Sequence, residues 1–154
     1  MDNQRVPNLD EMDEREARQF FSSLFNGEYV QMLDQIRHED YVMELPQSGE
    51  RVRGRENMSG YESATIEAGD QGGYFLDVRE VRRAIHRDGL WVVEILWDAT
   101  ESGLPELGSE WMYNEVYIIE LRDGKIWRET RYRAERLEAP EWRAQWVEPM
   151  YRFR

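Results

Sequence analysis

The chain has 154 residues, with 32 Asp+Glu against 20 Lys+Arg and a formal net charge of -12. So acidic a chain repels phosphate backbones and anionic lipid, so neither nucleic acid nor a membrane surface is expected as a partner. The absence of Cys excludes disulfides, thiolate nucleophiles and Cys-based metal centres. Hydrophobic residues make up 40%, which is enough for one core, and the length suits one domain.

The first twenty residues are polar and hold no apolar signal core, and no apolar run reaches bilayer-spanning length. A cytoplasmic address is the resulting expectation. Residues 1–7 read as a polar arm, and Asn8 or Asp10 can cap the helix that follows. Ala17, Phe20, Phe21 and Leu24 recur at i, i+3, i+4 and i+7, an amphipathic stripe. The acidic run over residues 10–16 suits the positive end of that helix. Asn26-Gly27 ends it, and Tyr29, Val30, Leu33 and Ile36 form a second, shorter stripe.

Residues 40–45 read as a strand stopped by Pro46. Gln47-Ser48-Gly49-Glu50 has turn chemistry, and residues 51–53 form a short returning strand. A third helix follows Gly54, with Met58, Tyr61 and Thr65 on one side. Residues 69–73 make a Gly-rich connection. Strands are expected over residues 75–86, 90–99, 110–121 and 125–135. The turns between them are Arg87-Asp88-Gly89, a loop over residues 100–108, and the hairpin turn Asp123-Gly124. The tail over residues 139–154 carries Trp142, Trp146 and Tyr151 and is expected to pack on the body. Helices followed by a sheet give an α+β layout in one domain over residues 1–154.

The run Asp40-Tyr41-Val42-Met43-Glu44-Leu45-Pro46, then Gly54-Arg55-Glu56, resembles the front half of SnoaL-like proteins of the nuclear transport factor 2-like (NTF2-like) superfamily. Ile119-Glu120-Leu121-Arg122-Asp123-Gly124-Lys125-Ile126 and Arg128-Glu129-Thr130-Arg131-Tyr132 are similar to their closing hairpin. The resemblance spans roughly residues 10–138. It implies a cone: a curved, mostly antiparallel sheet wrapped around N-terminal helices, enclosing an apolar pocket. It further implies a homodimer and a small apolar organic ligand. Superfamily members include ketosteroid isomerase, limonene-epoxide hydrolase, scytalone dehydratase and polyketide cyclases, alongside non-catalytic binding or dimerising proteins, so the fold leaves the function open.

The known catalytic patterns do not carry over. The isomerase base falls on Leu45, and its oxyanion-hole acid falls near Tyr117. The epoxide-hydrolase triad falls on Ile95, Trp97 and Arg131. Neither His38 nor His86 makes a cyclase pair. By alternation with the family's pocket positions, Glu129, Arg131 and Arg133 point inward and Thr130 and Tyr132 outward. Glu44 and Glu129 are the acid/base candidates, because a carboxyl in a dry cone can exchange protons with a substrate. Arg131 is the candidate oxyanion stabiliser or carboxylate anchor. Trp91, Trp97, Tyr117 and Arg133 are the substrate-lining candidates. The competing structural readings are an ion pair between Glu129 and Arg131, pairing of Glu44 with Arg51 or Arg53 across the hairpin, a salt bridge at Glu94, and core roles for Trp91, Trp97 and Tyr117. Arg79, Arg82, Arg83 and Arg87 suit a solvated strand edge or a dimer rim. No cofactor or metal site is expected: the two His lack carboxylates at ligand spacing, and residues 69–73 lack the phosphate-loop pattern.

Overall fold

The computed structural model describes residues 6–25, 32–70, 74–101, 111–134, 140–148 and 150. Its elements are α1 (Glu14–Phe25), α2 (Leu33–Ile36), β1 (Arg37–Leu45), β2 (Glu50–Arg53), α3 (Arg55–Asp70), β3 (Tyr74–Arg87), β4 (Leu90–Glu101), β5 (Trp111–Arg122) and β6 (Lys125–Ala134). The strands form one mixed sheet in the order β2-β1-β6-β5-β4-β3, with β1 and β6 parallel and the other neighbours antiparallel. Helices on one side of a largely antiparallel sheet make it α+β. Expected features at Tyr29, Val30, residues 71–73 and 102–110, Glu135 and Tyr151 lie outside the described residues.

Helix α1 starts later than Asn8 or Asp10 would place it. Asp13 Oδ1 accepts the Glu16 N–H at 2.8 Å, and Glu16 Oε2 accepts the Asp13 N–H at 3.0 Å, a reciprocal capping box. Asn8 instead holds a turn by accepting the Asp10 N–H. Ala17, Phe21 and Leu24 are buried, and α1 packs on β3. Both short hairpins use Asp-Gly with positive φ at both residues, 51° and 74° at Asp88-Gly89 and 53° and 70° at Asp123-Gly124. That geometry matches the twist of the strands they join. The two tips grip the segment before α1. The Leu9 N–H donates to Gly124 O at 3.2 Å, and the Trp91 indole N–H donates to Leu9 O at 2.9 Å.

On the inner face of the sheet, cross-strand rows are readable from the register. One row holds Trp91, Ile119, Glu129 and Met43; the next holds Val93, Tyr117 and Arg131; the third holds Ile95, Glu115 and Arg133. Phe21 and Met58 pack over these rows from the helices as part of the same core. Two β-bulges interrupt β3, between Val78 and Glu80 and between Val81 and Arg83; bulges bend and twist a strand.

Two expectations need correction. Tyr61 is 38% exposed while Met58 is buried; the inward side of α3 runs instead through Met58 and Glu62, because Glu62 is drawn in by the buried Arg37. Trp142 and Trp146 do not pack on the body: they are 73% and 72% exposed. Neither indole belongs to the core that α1 and α3 form against the sheet.

Candidate active site

Alternation along β6 buries Glu129 and leaves Tyr132 half-exposed on the opposite face. A carboxylate 3% exposed has a large desolvation penalty unless it is paired and hydrogen-bonded. Glu129 is both. Its Oε1 accepts from Arg131 Nε at 2.5 Å and its Oε2 accepts from the Tyr41 hydroxyl at 2.9 Å.

The network continues in both directions. Towards the helices, the Arg37 guanidinium sits 5.1 Å from the Tyr41 ring centroid. It makes a fork to Glu62 of α3, Nη1 to Oε2 at 3.1 Å and Nη2 to Oε1 at 2.5 Å. The Nε of Arg37 is buried and has no hydrogen-bond partner among the described residues. Towards the end of β6, the Arg131 guanidinium lies 5.2 Å from the Tyr117 ring centroid. The Tyr117 hydroxyl donates to Glu115 Oε2 at 2.8 Å, and Arg133 Nη2 stands 3.7 Å from Glu115 Oε1. Glu115 is buried, whereas the Arg133 side chain is 41% exposed. The chain of polar groups therefore runs from the buried Arg37, whose partner Glu62 is partly exposed, to the more open Arg133.

Burial, then the charge of Glu129, pushes the Tyr41 phenol well above its usual pKa. Burial and then Glu115 do the same to Tyr117. Both remain hydrogen-bond donors at neutral pH. Burial works against a charged Arg131, but Glu129 and the other groups around it outweigh burial and raise its pKa, so its positive charge is fixed.

Glu129, Arg131, Tyr117 and Arg133 thus come together on one face. Glu44 does not. It is paired across from Thr130, on the opposite face from Met43 and Glu129, and it meets Arg51 at 2.7 Å. The two residues are direct partners in the β1–β2 register, so Glu44 is a hairpin residue and not a second inner carboxylate. Trp91 is a core side chain, held by Leu9, edge-on to Phe21 and stacked on His86 at 4.6 Å. Trp97 faces inward but lies three rows from Glu129, opposite Tyr113. Glu94 joins Arg82 at 3.4 Å and also pairs with Arg83. Sequence reasoning missed Tyr41 and Glu115. Both were available by alternation, Tyr41 two residues before Met43 and Glu115 two before Tyr117. Nothing local signals the Arg37–Glu62 pair, whose partners are 25 positions apart.

Among solved structures, the chain is similar to an NTF-2-like protein of unknown function from Burkholderia xenovorans LB400. The TM-score is 0.61 at 29% identity, over 89% of this chain and 94% of that one. This chain belongs to the NTF2-like superfamily. Other structural neighbours include a candidate ketosteroid isomerase from Kribbella flavida DSM 17836, with 22% identity, a TM-score of 0.58 and 87% of each chain covered. A candidate polyketide cyclase from Xanthomonas campestris pv. campestris has 21% identity and a TM-score of 0.57, over 74% of this chain and 84% of that one. No family model and no curated protein matches the sequence. Among the described residues of this NTF2-like chain, no helix is long and apolar enough to cross a membrane, and no group of three His, Asp or Glu is placed to hold a metal ion.

Proposed function

We propose that this NTF2-like protein binds a small apolar, oxygenated organic molecule against the inner face of its sheet and performs acid/base chemistry on it without a cofactor. One observation carries the reading: Glu129, a carboxylate buried on the inner face, lies between the Tyr41 hydroxyl and the Arg131 guanidinium. In this scheme Glu129 takes a proton from, or returns one to, a substrate carbon or oxygen. Tyr41 donates a hydrogen bond, and Arg131 supplies positive charge where an oxyanion develops. Isomerisation, cyclisation, dehydration and epoxide opening are all reactions open to acid/base catalysis of this kind. The candidate isomerase and cyclase among the structural neighbours support the same class. The half-exposed Arg133 at the more open end is the proposed entry contact for a polar substrate group. The protein acts as a homodimer in this reading, supported by Ile85 and Tyr132, 50% and 49% exposed on the outer sheet face.

The test is thermal-shift screening with steroid-like, terpenoid and polyketide-like compounds, followed by turnover assays on the hits, since a ligand of the folded state raises its melting temperature. Glu129→Gln is expected to abolish turnover while retaining ligand binding. Unchanged turnover removes Glu129 from the chemistry. A second reading is favoured by the saturation of the network: both Glu129 oxygens are already occupied by protein donors. In that reading the cluster is structural and the domain binds or dimerises without catalysis. Ligand-induced shifts without turnover in any hit would select it.

A further inference from the structure

The tail exposes large apolar side chains that the protomer does not cover. Trp142, Trp146, Val147 and Met150 are 73%, 72%, 52% and 70% exposed. Residues 140–146 form a tight helical turn, with Ala144 N–H donating to Glu141 O and Trp146 N–H donating to Arg143 O. Its i→i+3 bonds set residues four apart on different sides of the turn, so Trp142 and Trp146 project from it separately, both into solvent. Isolated apolar residues on a surface are ordinary, but two indoles on one turn mark a contact surface.

Elsewhere on the same chain a groove of about 560 Å³ runs between the segment before α1 and α1 itself. It is lined by Asn8, Glu11, Met12, Glu16, Gln19 and Phe20, among others. Its volume lies within the roughly 300–1,000 Å³ range of sites that take up bulky organic groups, which is the scale of two indole rings. Met12 and Phe20 are apolar members of its largely polar lining, and Glu11 and Glu16 make that lining acidic.

The charges match. Residues 8–16 carry five acids against one arginine, whereas the tail over residues 139–154 carries Arg143, Arg152 and Arg154 against Glu141 and Glu148. Two copies with a net charge of -12 repel one another overall, so contact is favoured where a local basic segment meets a local acidic one. We propose that the Trp142–Trp146 turn of one copy seats in the groove between the N-terminal segment and α1 of a second copy, with Arg143 against the acidic lining. Exchange in both directions closes a two-fold dimer. The inference rests on the homodimer proposed above and names one of its contacts.

The experiment is sedimentation equilibrium on the full chain and on three variants. The exposed-side variant carries Trp142→Ser with Trp146→Ser. The groove variant is Gln19→Trp, which fills the site. The charge variant is Glu11→Arg, alone and with Arg143→Glu. The first two are expected to weaken dimerisation by about tenfold or more, as buried Trp anchors do when removed. The double charge reversal is expected to recover what Glu11→Arg loses. A wild-type dimer unaffected by the tail and groove variants overturns the tail contact and leaves the homodimer standing. A wild-type monomer at all concentrations overturns both. A monomer whose tail indoles are shielded from acrylamide, and unshielded by Gln19→Trp, places the tail in its own groove and overturns exchange between copies.

Discussion

On the inner face of the sheet, Glu129 and Arg131 meet at 2.5 Å with side chains 4% and 15% exposed. On the outer face, Glu44 and Arg51 meet at 2.7 Å with side chains 26% and 48% exposed. The two pairs use the same residue types at nearly the same separation. The first is two residues apart on one strand and held by Tyr41; the second spans a hairpin and is open to water. Water screens the outer pair and lowers its worth to that of an ordinary surface salt bridge. Burial keeps bulk water from most of the inner pair, where each charge depends on the other and on the Tyr41 hydroxyl. Geometry alone would rank them as equals, and burial separates them.

The sharpest way to break the comparison is to remove one carboxylate charge from each face. Glu129→Gln leaves Arg131 buried without its counter-charge, and a loss of about 3–5 kcal/mol is expected. Chemical denaturation of the folded variant measures it; a loss no larger than that at Glu44 would sink the claim that burial sets the value. Tyr41→Phe comes next. It deprives Glu129 Oε2 of its donor in a buried setting, at about 1–3 kcal/mol. A double-mutant cycle with Glu129→Gln should show coupling between the two.

A pH titration sharpens the same point through the phenols. Tyr41 and Tyr117 both have folded-state pKa values raised well above the ordinary one, by burial first and then by the neighbouring Glu129 and Glu115. A group raised on folding stabilises fully below its unfolded pKa, about 10 for Tyr. That contribution is lost as pH climbs through the folded value. Stability should therefore fall above about pH 10, and ultraviolet titration should show two tyrosines that ionise only as the chain unfolds. All tyrosines titrating together in the folded state would contradict this. The smallest effect belongs to Glu44→Gln, for which a change of about 1 kcal/mol or less is expected, reduced further by salt.

Much of this was legible in the chain itself. The i, i+3, i+4 stripe of α1, the Asp-Gly hairpins and the alternation of β6 are local patterns, and local sterics and periodicity determine them. They determined the α+β layout, the strands and which side of β6 carries Glu129, Arg131 and Arg133. Alternation also held the positions of Tyr41 and Glu115, though their chemistry is visible only once their neighbours across the sheet are known.

Tertiary structure alone decided the rest. A strand pattern does not say that β1 lies parallel to β6, and it is that pairing which sets Met43 beside Glu129 and turns Glu44 to the other face. Nor does it say that Leu9 closes over Trp91, or that Arg37 and Glu62 meet across 25 positions. Those contacts depend on how elements far apart in the chain exclude water together, and desolvation is a property of the assembled core. The sequence by itself determined which elements form and which residues share a face. Which charges are buried, and so which can serve chemistry, was decided only when the sheet was paired and covered.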